Sequence, residues 1–131
     1  MGKTGVLIAE DDTSIRNLLR AYLEMEGYTV YEAATGKLAL EQLRTHPEGL
    51  VVLLDLLMPA NGRGVLKAVV TEAPLAVQHA CILMTAAGPA VPEQVRPLLQ
   101  GLDMEAIHKP FDVCEMESAI QKAARRLGHE A

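Results

Sequence analysis

Five short strand-like runs punctuate the chain, and four of them end on polar groups that the run itself has no means to bury. The strongest is Leu50-Val51-Val52-Leu53-Leu54, which stops at Asp55 and continues as Leu56-Leu57-Met58-Pro59. Unbroken hydrophobicity over so short a length, closed by a charge, is the pattern of a strand buried on both faces. An unpaired carboxylate is costly to bury. Asp55 is therefore expected at the strand's end, where the sheet opens to solvent, and Pro59 obliges the chain to turn soon after. Similar runs are Gly5 to Ala9, ending in Glu10-Asp11-Asp12; Thr29 to Ala33; Ala80 to Met84, ending at Thr85; and Ala106-Ile107-His108, ended by Lys109-Pro110.

Between these runs the apolar period changes to that of helices. Ile15, Leu18, Leu19, Tyr22 and Leu23 predict a first helix, capped by Asp12 or Thr13 and stopped by Gly27. Ala39, Leu40 and Leu43 mark a second, which must finish before Pro47. After the turn cluster Asn61-Gly62-Arg63-Gly64, Val65, Leu66, Val69 and Val70 mark a third. Val91, Val95, Leu98 and Leu99 suggest a fourth, but Pro89, Pro92 and Pro97 make it short or distorted. Val113, Met116, Ile120, Ala123 and Leu127 stripe the last, with Arg125 and Arg126 at its negative end and Gly128 at its stop. Strands alternating with helices imply a parallel sheet covered on both faces, joined by right-handed crossovers. The expectation is a three-layer α/β/α fold in a single domain, residues 1–131, with its core between 5 and 127.

Composition narrows the class. At 131 residues, half of them hydrophobic, the chain can bury a real core, and with no Trp and one Phe that core must be aliphatic. A formal net charge of −5 argues against a nucleic-acid-binding surface. No apolar run approaches the ~20 residues of a membrane span, and Val6 to Ala9 is too short for a signal-peptide core. Cys81 and Cys114 have no metal or redox spacing and read as reduced thiols of a cytoplasmic protein, Cys81 as core packing. His46, His79 and His129 are scattered and receive no role, and His108 is expected to alternate away from the strand ends.

In a parallel sheet the strand ends share one edge, where ligands of open α/β sheets bind. Glu10 and Asp11, Asp55, Thr85 and Lys109 would converge there. Crowded carboxylates either take up protons or need a cation, and oxygen-only ligands favour Mg²⁺. Acids, a hard cation, an ammonium and a hydroxyl together suit a phosphoryl group, with Asp55 as the nucleophile that forms an acyl phosphate. Asp12 is read as a cap or surface residue.

Four segments carry a resemblance: Val6-Leu7-Ile8-Ala9-Glu10-Asp11-Asp12, Leu53-Leu54-Asp55-Leu56-Leu57-Met58-Pro59, Leu83-Met84-Thr85-Ala86 and Lys109-Pro110-Phe111. In this order, each at a strand end, they resemble the receiver domains of two-component response regulators, the CheY-like superfamily. The resemblance implies a flavodoxin-like five-stranded sheet in order 2-1-3-4-5. It implies that Asp55 accepts a phosphoryl group from a phosphohistidine of a sensor histidine kinase or phosphotransfer protein. Asp11, Asp55 and the backbone carbonyl of Leu57 would bind Mg²⁺, with Glu10 acting directly or through water. Lys109 would pair with Asp55 and then with phosphoryl oxygens, and Thr85 would move to report the modification. Such a domain catalyses only its own phosphorylation and dephosphorylation and signals by binding a downstream partner.

Three departures bear on the output. Ala106 stands where such receivers usually carry Tyr or Phe, the loop after Pro59 lacks the usual Asp-Gly, and prolines interrupt the region of the fourth helix. An alternative follows: a receiver-like binding module whose output does not depend on phosphorylation. A phosphatase with Asp55 as nucleophile would want a second Asp where Leu57 stands, and a flavodoxin would need a Ser/Thr/Gly-rich loop after the first strand.

Overall fold

The computed structural model describes residues 4–55, 64–65, 67–68, 78–85, 105–108 and 112–128, with the backbone alone at Thr85, Glu105, Ala106 and His108. The elements within these bounds are β1 (Gly5–Ala9), α1 (Thr13–Met25), β2 (Thr29–Ala33), α2 (Gly36–Thr45), β3 (Leu50–Asp55), β4 (Ala80–Thr85), β5 (Glu105–His108) and the C-terminal helix α3 (Val113–Arg126). The five strands form one parallel sheet in the order β2-β1-β3-β4-β5. This is the α/β architecture expected from the alternation of strands and helices, with the strand order that the family resemblance implies.

The hydrophobic runs become strands because Leu50 to Leu54 of β3, and Val6 to Ala9 of β1, have an apolar layer to enter on either side. Alternate residues face opposite ways. Leu7, Ala9, Val52, Leu54, Cys81 and Leu83 pack with Ala39 and Leu43 of α2 and with Val65. Val6, Ile8, Val51, Leu53, Ile82 and Met84 pack on the other face with Leu19 and Leu23 of α1 and with Met116, Ile120 and Ala123 of α3. Enclosing each large aliphatic side chain contributes about 1.5–3 kcal/mol.

The helix boundaries follow local chemistry. Asp12 is the N-cap of α1, its Oδ1 accepting from the Ile15 amide at 3.0 Å. Thr35 and Asp112 cap α2 and α3 in the same manner. Gly27 and Gly128 follow the last residues of α1 and α3 at φ of +93° and +78°, left-handed conformations that cost glycine little. The apolar stripes are narrower than their spacing suggests. Leu18 and Val113 were placed on buried stripes, yet Leu18 is 72% exposed and Val113 50% exposed. Leu18 lies at the rim of the apolar arc of α1, and Val113 is the first residue of α3. The expected fourth helix, and most of the third, lie outside the described residues.

His79, to which the sequence assigned no role, is a structural tie. It is 4% exposed, accepts a hydrogen bond from the Leu50 amide on Nδ1 at 3.0 Å, and meets the Leu43 carbonyl through Nε2 at 2.8 Å. An amide has only a proton to give and a carbonyl only lone pairs, so the ring is neutral with its hydrogen on Nε2. The tie joins the end of α2 to the start of β3 and the approach to β4.

Candidate functional site

The register of the sheet brings the first two carboxylate-bearing strands together. Ala9 pairs with Leu54, so Glu10 comes level with Asp55. Glu10 still follows the sheet, its amide donating to the Ala33 carbonyl at 3.1 Å. Asp11 begins the turn into α1. The carboxylate oxygens of Glu10, Asp11 and Asp55 all lie within 4.8 Å of one another. Their surroundings differ: Glu10 is 1% exposed and Asp55 5%, whereas Asp11 is exposed. Asp55 is thus more enclosed than a residue at an open sheet edge; the sheet does not release it to solvent until after the carboxylate.

The turn from β1 to α1 is tied at Glu10 and Asp12. Oε2 of Glu10 accepts from the Asp12 amide at 3.3 Å. The Glu10 carbonyl accepts from Arg16 Nη1 at 2.9 Å. Arg16 Nε in turn donates to Glu32 Oε1 on β2 at 3.2 Å, and Arg20 Nη1 donates to Glu32 Oε2 at 3.0 Å. Sequence reasoning missed Arg16 and Glu32. No spacing rule links a residue in the first turn of a helix to one sixteen positions on in an edge strand.

The other expected site residues are placed less fully. Asp55 pairs with Met84, so Thr85 begins one position beyond it at the same edge, and Thr85 pairs with His108 at the end of β5. Only the backbone of Thr85 and His108 is described. Lys109 and Leu57 lie outside the described residues.

The donor set fits a small hard cation. It holds three carboxylates and neither His nor Cys. An octahedral ion with oxygens at ~2.1 Å sets neighbouring ligands ~3.0 Å and opposite ligands ~4.2 Å apart, so oxygens already gathered within 4.8 Å of one another need only side-chain adjustment to close on it. Two enclosed carboxylates side by side also give a reason for positive charge to be drawn in.

Residues 6–121 match the family model of the response regulator receiver domain. The chain belongs to that family. It is a receiver domain of the two-component signalling type. "Response regulator GtcR" of Aneurinibacillus migulanus is 35% identical over 127 residues, covering 96% of this chain and 49% of that protein. "Probable transcriptional regulator ycf27" of Porphyridium aerugineum is 36% identical over 129 residues, covering 97% of this chain and 50% of its own length. The chain therefore spans about half the length of these curated relatives. Among solved structures, the receiver domain of the Francisella response regulator 1452 superposes with a TM-score of 0.77 at 26% identity, covering 94% of this chain and 98% of that one. Among the described residues no helix is long and apolar enough to cross a membrane.

Proposed function

We propose that this receiver is phosphorylated on Asp55 in a Mg²⁺-dependent reaction. The phosphoryl donor would be a phosphohistidine of a sensor histidine kinase or phosphotransfer protein. The observation that supports it most is the convergence of the Glu10, Asp11 and Asp55 carboxylates within 4.8 Å at the carboxyl ends of β1 and β3. An Asp55 oxygen attacks phosphorus as the bond from phosphorus to the histidine nitrogen breaks; with the other ring nitrogen of the phosphohistidine already protonated, this leaves an acyl phosphate and a neutral imidazole. Glu10, Asp11 and Asp55 would hold the ion, with the Leu57 carbonyl as a further ligand. Bound Mg²⁺ supplies positive charge to the phosphoryl oxygens as negative charge gathers on them. Enclosure of Asp55 limits the water that can reach the phosphorylated carboxylate. Lys109 would pair with the phosphoryl oxygens, and Thr85 would carry its presence towards β5. Output would be binding of a downstream protein in the cytoplasm, with no turnover of an outside substrate.

A second reading rests on Ala106, which pairs with Leu83 in the strand register. A methyl has no ring to swing inward when Thr85 moves, so partner binding would not depend on phosphate. Incubation with Mg²⁺ and acetyl phosphate should add one phosphoryl group by intact mass, and Asp55→Asn or chelation should abolish it. Labelling that survives either change defeats the first reading. A partner affinity unchanged by beryllofluoride would favour the second.

A further inference from the structure

The acidic corner is held by more than its own residues. Arg16, with only 16% of its side chain exposed, reaches back from α1 and bonds the Glu10 carbonyl through one nitrogen and Glu32 through another. Its anchor is fixed in turn. Glu32 receives Arg20 on its second oxygen, and its backbone carbonyl accepts from Gln42 Nε2 of α2 at 2.7 Å. We propose that Arg16, braced by Glu32, is a positioning residue for the acidic pocket, holding the peptide between Glu10 and Asp11 so that both carboxylates stay turned toward Asp55. This rests on the Mg²⁺ reading of the pocket given above.

The Glu10 carbonyl lies in the same rigid plane as the Asp11 amide. A bond at that oxygen therefore limits rotation of the unit from which the Asp11 side chain departs. The restraint matters because the three carboxylates repel one another, and Asp11, being exposed, has solvent to turn into. Charge and positioning act with opposite sign here. A guanidinium near the pocket opposes a second cation by Coulomb repulsion, so if charge were its whole effect, its removal would tighten Mg²⁺ binding. As a brace, its removal weakens binding.

The test is a Mg²⁺ titration of the full chain, by calorimetry and by the amide shifts of Asp11 and Asp12. The variants are Arg16→Gln, Arg16→Lys, Glu32→Gln and Asp11→Ala, with thermal unfolding without Mg²⁺ confirming that each is folded. Arg16→Gln should weaken Mg²⁺ binding about tenfold, the low end of what loss of a ligand-orienting partner costs. Glu32→Gln, which leaves the Arg16 charge in place, should weaken it in the same direction and by less, and Arg16→Lys should recover only part of the loss. If Arg16→Gln does not fold, Arg16→Lys decides, because it keeps the charge and gives up the two-point bond: weaker binding supports the brace, and unchanged or tighter binding overturns it. Unchanged or tighter binding in the folded variants overturns the positioning role alone, provided Asp11→Ala abolishes binding. If the unaltered chain binds no Mg²⁺, or Asp11→Ala binds it equally well, the metal reading fails and this inference with it.

Discussion

Replacing His79 by Ala removes a side chain that satisfies two buried backbone groups at once. The Leu50 amide would lose its acceptor and the Leu43 carbonyl its donor, in a place only 4% exposed. Each buried group left without a partner costs about 1–3 kcal/mol, so the pair alone predicts a loss of about 2–6 kcal/mol, to which the missing ring adds. That is a large part of the ~5–15 kcal/mol that holds a domain folded. Acidification should act on the unaltered chain through the same atoms. Burial pushes the His79 pKa below its usual 6.5, the charge of His46 adds to that, and the Leu43 carbonyl works against both. The unfolded ring takes up a proton near the ordinary value and the folded ring resists it. The contribution of His79 is therefore whole above pH 6.5 and drains away as pH falls through the lower, folded value, at no more than about 1.4 kcal/mol per pH unit. Urea unfolding followed by far-ultraviolet circular dichroism, from about pH 8 to pH 5, measures both effects. The stability gap between the unaltered chain and His79→Ala should be widest at neutral pH and narrow on acidification. A gap that stays constant over that range, or one below about 0.5 kcal/mol, refutes the bonding scheme drawn for the ring.

Three other outcomes are expected. Gly49→Ala would place a Cβ 2.5 Å from the Gln78 carbonyl oxygen and should cost about 1–3 kcal/mol in thermal or urea unfolding; an unchanged midpoint would show that this approach is looser than drawn. Leu53→Ala opens a cavity at a fully enclosed position of the central strand and should cost about 2–5 kcal/mol with little change in the urea slope. Of the two thiols, exposed Cys114 should react with a disulfide reagent in the native state. Cys81, whose thiol burial pushes up to about 12, should react only on unfolding, and fast labelling of both would contradict its enclosure.

The strands were legible in the sequence because burial on two faces leaves an unbroken mark, and β3 lies where Leu50 to Leu54 placed it. Helix ends were legible at Asp12, Gly27 and Gly128, where a single residue carries the chemistry of the boundary. What spacing does not carry is the edge of a buried face. Leu18 continues the period of α1 and is nevertheless in solvent, because exposure depends on how far the sheet extends beneath it. The acidic pocket was readable since parallel strands deliver their ends to one side. Arg16, Glu32 and His79 were not, since their partners come from other elements. The loop of Leu57, the prolines of the fourth-helix region and Lys109 lie outside the described residues.

The sheet separates the interior into two compartments with different walls, one shared with α2 and the other with α1 and α3. Neighbours in sequence such as Val52 and Leu53 thus belong to rooms that do not communicate. Substitutions made on opposite sides should sum almost independently. Such a chain can rebuild one chamber over generations while the other keeps its furnishings, and the acidic rim that both of them support need not move.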